Sequence, residues 1–152
     1  MAINFIPSDS RVLFGRVDTD DGNYILLVPG NEKANMLMIE EDFFLLLDLT
    51  LKIALGEYSI YYDYSLSPNQ WQNVLAICDK IVNANSFDAL FEYTTGANYK
   101  TNTSGNSETL YFINNNGKEL WDNIETYKTI LSDIKEWTDL FCQDIKINIW
   151  GL

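Results

Sequence analysis

The chain contains no histidine among its 152 residues, and this absence restricts its chemistry strongly. Without an imidazole, the usual Ser–His and Cys–His nucleophile pairs and most zinc sites cannot be built. Its two cysteines, Cys78 and Cys142, are too few for a disulfide framework and too far apart for a Cys-x-x-Cys pair. The eight glycines never form a GxGxxG or GxxxxGKS/T phosphate loop. We therefore expect a protein that is not an enzyme and that uses no cofactor and no metal.

Basic residues are also scarce, since ten lysines and arginines face 22 acids and leave a net charge of −12. The halves on either side of residue 76 each carry 11 acids, against four and six bases, so the acidity does not form a tail. Such a surface repels phosphate backbones and anionic lipids, and it attracts basic proteins. We expect no direct binding to nucleic acid or membranes. Acidity that only keeps the protein soluble is the competing interpretation.

Long apolar runs and leader-like features are missing as well. The most apolar stretch, residues 43–55, is interrupted by Asp48 and Lys52 and is too short to span a bilayer of roughly 30 Å. The first ten residues show neither a basic start nor a long apolar run, so we expect no signal peptide and a cytoplasmic location. No repeat or change in composition marks a boundary, and we expect one domain over residues 1–152.

The pattern of apolar residues predicts an α+β domain. Residues 11–17, 23–29, 36–40, 57–65, 108–114 and 145–150 are typical of strands, and 68–83 and 117–142 are typical of helices. Residues 40–55 favour a helix that Gly56 ends, but a buried strand stays open for 43–55. Residues 87–95 are ambiguous and favour a strand. We expect a mainly antiparallel sheet with two to three helices packed on one face.

The segment Asp18-Thr19-Asp20-Asp21-Gly22 could be a cation-binding loop or a tight turn. A calcium loop of the EF-hand type that starts at Asp18 needs an acidic or amide ligand at its fifth position and glutamate at its twelfth. Those positions hold Gly22 and Pro29, so the register fails. Flanking strands and the Asp21-Gly22 pair instead predict a hairpin turn whose acids Asp18, Asp20 and Asp21 project at its tip.

Three other segments are candidates for partner binding, and two of them combine acids with tyrosine. Glu57, Tyr61 and Asp63 would share one face of the predicted strand at 57–65, together with Ser59. Tyrosine beside carboxylates can bind lysine or arginine through cation–π contacts and charge-assisted hydrogen bonds. The remaining candidates for partner binding are Glu40, Glu41 and Asp42, which also suit a helix start, and Glu92 and Tyr93.

The final segment, "ELWDNIETYKTILSDIKEWTDLF" followed by "IKINIWGL", combines with the Asn-rich and His-free composition to give a resemblance. The chain resembles bacterial immunity proteins of contact-dependent or polymorphic toxin systems. That resemblance implies a stoichiometric inhibitor that caps a cognate, often basic, toxin such as a nuclease, and it carries over no functional residue. The alternatives are a nucleic-acid mimic that inhibits a DNA- or RNA-handling enzyme and a small carbohydrate-binding or carbohydrate-hydrolysing module.

Overall fold

The computed structural model describes residues 5–15, 23–90 and 117–151, which form an α+β fold around a five-stranded sheet. The strands are β1 (Val12–Phe14), β2 (Tyr24–Pro29), β3 (Leu37–Glu40), β4 (Tyr64–Leu66) and β5 (Ile147–Trp150). They lie in the order β1-β3-β2-β5-β4, and each neighbouring pair is antiparallel. The predicted fold class is confirmed. The predicted strand at 108–114 lies outside the described residues.

Three longer helices accompany the sheet: α1 (Leu45–Leu55), α2 (Pro68–Val82) and α3 (Ile124–Phe141). Residues 87–90 and 117–122 are also helical, so the described residues contain five helices rather than the predicted two to three. The difference arises because 87–90 had been expected to be a strand and because the last predicted helix is interrupted at Asn123. Two 3-10 turns, Lys33–Asn35 and Glu41–Phe43, flank β3.

The main core lies between the helices and one face of the sheet. Alternate residues of β2, β3 and β5 enter this core and are fully buried, as the period of a strand requires: Ile25, Leu27, Leu37, Ile39, Ile147 and Ile149. Trp71 of α2 and Trp137 of α3 join the same core. The opposite face of the sheet carries a smaller cluster built on Val28 and two methionines, with Tyr24 and Trp150 half-buried beside it.

Two of the helix signals in the local sequence are confirmed, the start of α2 and the end of α1. Ser67 caps α2 by accepting a hydrogen bond from the Gln70 backbone, while the Gln70 side chain accepts one from the Ser67 backbone. Gly56 ends α1 with a φ of 77°, a conformation that side chains with a Cβ rarely adopt. Residues 45–55 are therefore a helix, and the alternative of a buried strand is wrong.

The hairpin expected around residues 16–22 is wrong in its pairing. Because β1 and β2 both pair antiparallel with β3, they run parallel to each other and lie on opposite sides of it. A two-residue turn cannot join parallel strands, which need a crossover connection. Asp18, Asp20 and Asp21 themselves lie outside the described residues.

The predicted strand at 57–65 is mostly wrong, because only its last two residues are in the sheet, as part of β4 (Tyr64–Leu66). Tyr58 turns inward and is 6% exposed, packing 4.8 Å from Tyr64 and 6.4 Å from Phe44 between ring centroids. Ser59 then starts a turn, since its backbone carbonyl accepts from the Tyr62 N–H. The strand favoured for 87–95 is also wrong at 87–90, which are helical.

Candidate functional site

One end of each of the five strands lies at the same edge of the sheet, and the predicted acidic groups lie next to this edge, near β3 and β4. The register pairs Val12 with Ile39, Tyr24 with Glu40 and Leu26 with Trp150, so β3 and β5 end where β1 and β2 begin. The pairing of Tyr64 with Ile149 brings the start of β4 to the same edge. We call the side chains that extend from it the acidic rim: Glu40, Glu41, Asp42, Glu57, Tyr61, Tyr62 and Asp63.

The first group of the acidic rim lies where β3 passes into the Glu41–Phe43 turn. Asp42 is exposed, and Glu40 and Glu41 are half-buried. Asn23, just before β2, fixes Glu41: its side-chain amide donates to Oε2 over 3.2 Å, and its carbonyl accepts from the Glu41 N–H over 2.9 Å. The predicted role of these acids at a helix start is corrected, because Glu40 ends β3, Glu41 and Asp42 lie in the 3-10 turn, and α1 begins only at Leu45.

The second group lies in the turn before β4. Glu57 and Asp63 are exposed, and Tyr61 and Tyr62 are each 67% exposed. These side chains do not share a strand face as predicted, since a turn and not a strand carries them. Asp63 also has a structural role, because its Oδ1 accepts from the Gly151 N–H over 3.0 Å.

Three strand intervals separate the two groups, from β3 through β2 and β5 to β4. At about 4.8 Å an interval, the separation along the edge is roughly 14 Å. Packed aromatic rings of Phe44, Tyr58 and Tyr64 connect the groups from beneath. Burial and the nearby carboxylate of Asp48 raise the pKa of the Tyr58 phenol.

Few of the carboxylates in the described residues form ion pairs with neighbouring bases. The described residues include 17 acids and eight bases, and they form four ion pairs between them. None of these pairs involves an acid of the rim. Arg11, the one arginine among the described residues, pairs with Asp9 over 3.3 Å and lies 4.2 Å above the ring of Phe43. The five carboxylates of the acidic rim therefore take no part in the ion pairs of the described residues.

The remaining predicted residues lie outside the described residues: Asp18, Asp20, Asp21, Glu92 and Tyr93. The sequence did not indicate a role for Tyr62 of the acidic rim or for Gly151, which contacts the same turn. In the strand predicted at 57–65, Tyr62 would lie on the face opposite Tyr61 and Asp63. Gly151 carried no signal because its contact with the turn depends on the pairing of β4 with β5.

A groove of about 500 Å³ lies between α2 and α3. Val82 and Leu131 lie at its base, and Lys135 crosses it to bind both oxygens of Asp79 at 3.0 Å. Its lining mixes both signs of charge. It therefore lacks the single charge sign of the acidic rim.

Within the described ranges, no three histidine, cysteine or acidic residues are placed to hold a metal ion. Likewise, none of the helices in that part of the chain is both long and apolar enough to cross a bilayer. Comparisons with models of protein families, with curated proteins and with solved structures found no match to this chain.

Proposed function

We propose that this chain is an acidic binding protein that neutralises a basic protein by forming a stoichiometric complex through its acidic rim. The observation that carries the proposal is that five carboxylates and two exposed tyrosines lie at one edge of the sheet. An immunity protein that inhibits a cognate basic toxin is the particular form of this function that we propose.

The chemistry of the acidic rim suits lysine and arginine on the partner. Carboxylates form charge-assisted hydrogen bonds with both side chains, and the faces of Tyr61 and Tyr62 can bind a cation. Tyrosine and arginine are common among the residues that dominate binding energy at interfaces. Because the rim is built on strand ends and short turns, little conformational entropy has to be lost when a partner binds.

The charge of the whole chain supports the same function at longer range. A net charge of −12 attracts a basic protein before contact and accelerates its association. This attraction is screened beyond about 8 Å at physiological salt. The association rate should therefore fall steeply as salt is added, while the dissociation rate should change less.

The two alternatives receive less support from the described surface. A nucleic-acid mimic needs a regular row of negative charges, whereas the carboxylates of the acidic rim fall into two groups about 14 Å apart. A sugar-binding module would use exposed tryptophan and tyrosine faces. All four tryptophans are buried or half-buried, so among the described residues only Tyr61 and Tyr62 could serve it.

The experiment begins with the protein encoded by the adjacent upstream gene, which should co-purify with this chain in a defined ratio. The variant Asp42→Lys/Glu57→Lys should then weaken the complex by at least about tenfold, because it places like charges opposite each other. The matched control is Glu32→Lys/Asp139→Lys, which makes the same charge change at exposed positions outside the acidic rim.

Equal weakening by both double variants would show that only net charge matters, and it would contradict a specific rim. Failure to form any complex with the neighbouring gene product would remove the toxin–immunity form of the proposal. Measured turnover of a substrate by the chain alone would overturn the function itself.

A further inference from the structure

Tyr61 and Tyr62 differ from the other tyrosines in the described residues. Each is 67% exposed, whereas Tyr58 and Tyr127 are buried and Tyr24 and Tyr64 are half-buried. They are also the only aromatic residues among the exposed large apolar side chains of that part of the chain. Two adjacent exposed rings beside Asp63 need an explanation other than the core.

The turn that carries these rings is held in place by hydrogen bonds on its inner side. Ser59 accepts the Tyr62 N–H at its carbonyl over 3.2 Å and the Tyr61 N–H at its hydroxyl over 3.3 Å. The Ser59 N–H in turn donates to the Tyr64 hydroxyl over 3.1 Å. The turn is therefore ordered before any partner arrives.

Gly151, just after β5, contacts the same turn closely. Its N–H donates to Asp63, and a Cβ at this position would overlap the carbonyl oxygens of Ile60 and Tyr62. Because these obstacles are backbone atoms, a larger residue here must push the turn away. The closeness of this approach explains why glycine suits the position.

We propose that the Tyr61–Tyr62 turn is the anchor of the acidic rim and that it binds arginine side chains of the basic partner in preference to lysine. This inference rests on the proposed function. A guanidinium is planar and weakly hydrated, so it stacks on a tyrosine ring and still binds a neighbouring carboxylate with its fork of N–H groups. An ammonium is a hydrated point charge and gains less from the rings.

Two peptides of equal length and charge test the preference, one alternating glycine with arginine and the other alternating glycine with lysine. Each is titrated into isotope-labelled full-length chain at low salt, and backbone and tyrosine ring NMR shifts report the site and the affinity. We expect both peptides to shift the signals of the acidic rim. The arginine peptide should bind more tightly, by at most about two- to fivefold for each tyrosine ring engaged, which is the full strength of an exposed cation–π contact.

Substitutions then separate rings from charge. Tyr61→Ala/Tyr62→Ala should reduce the arginine peptide to the affinity of the lysine peptide, and Gly151→Ala should have a similar effect without changing any charge. Ile6→Ala is the control for Tyr61→Ala/Tyr62→Ala, because it truncates a side chain that is 83% exposed elsewhere. If Gly151→Ala fails to fold, the tyrosine variants decide alone, since their side chains contribute little to the core.

The possible outcomes distinguish this inference from the function beneath it. If both peptides bind equally well at the acidic rim, or if the tyrosine variants keep the preference, the arginine anchor is wrong and the acidic binding function stands. If neither peptide shifts rim signals, or both bind elsewhere, the proposed function of the rim and the anchor both fail.

Discussion

The hydrogen bond between Trp71 and Thr138 gives a quantitative test of how α2 is joined to α3. The indole N–H of Trp71 donates to the Thr138 hydroxyl over 3.0 Å, and that hydroxyl donates to the Ile134 carbonyl over 2.7 Å. Trp71 is 1% exposed and Thr138 is 2% exposed, so water cannot replace a lost partner. Thr138→Val keeps the side-chain shape but leaves the indole donor without an acceptor.

We expect Thr138→Val to lower the free energy of unfolding by about 1–3 kcal/mol, the cost of a buried donor without a partner. Thr129→Val is the matched control, because the Thr129 hydroxyl makes the same local bond to the Glu125 carbonyl, over 3.2 Å, but Thr129 is only half-buried. That control should change stability by no more than about 0.5 kcal/mol.

Equilibrium urea unfolding, followed by circular dichroism, measures both variants. A double-mutant cycle with Trp71→Phe then isolates the pair, and we expect a coupling energy of about 1 kcal/mol. Equal small losses for Thr138→Val and Thr129→Val would refute the reasoning. So would additive effects in the cycle, because the indole would then have another acceptor or water.

Three further predictions concern buried polar groups. Tyr58→Phe should leave stability unchanged or raise it by about 1 kcal/mol in a urea titration, because the Tyr58 hydroxyl is buried without a hydrogen-bond partner; a large loss would contradict this. Asp133→Asn should lower stability by about 1–3 kcal/mol and speed proteolysis near Ser8, because the 1% exposed carboxylate accepts the Ser8 and Asp9 N–H groups at 2.7 and 3.0 Å; unchanged cleavage would disprove the anchor. Burial raises the pKa of Cys78 from 9.0 to about 12, so the folded chain holds the thiol proton between those values while the unfolded chain loses it, and stability should fall as the pH rises through 9. In Cys78→Ala this decline in stability with rising pH should be smaller, as thermal unfolding at each pH would show; an equal decline in both proteins would contradict the prediction.

The elements that were predictable from sequence are those whose signals are local. The Ser67-Pro68 start of α2, its helical spacing and Gly56 at the end of α1 each act within a few residues, and each is confirmed. The strand at 57–65 failed because alternation alone does not show that Tyr58 packs against Phe44, which is distant in sequence.

The candidate site was predictable only in part, because it depends on the order of the strands. Glu40 and Asp63 were recognised as possible contacts, but their place on one edge follows from β3 and β4 being joined through β2 and β5. The expected hairpin failed for the same reason, since nothing local to residues 16–22 indicates that β3 separates β1 from β2. Gly151 acquires its role only through this arrangement.

Amide hydrogen exchange of the chain, alone and in complex with the neighbouring gene product, tests the central claim most directly. If the acidic rim is the contact surface, binding should slow exchange at residues 40–42 and 57–63, while the exposed turn around Glu32 at the other end of β2 should be unaffected. Slowed exchange confined to surfaces outside 40–42 and 57–63 would contradict the account.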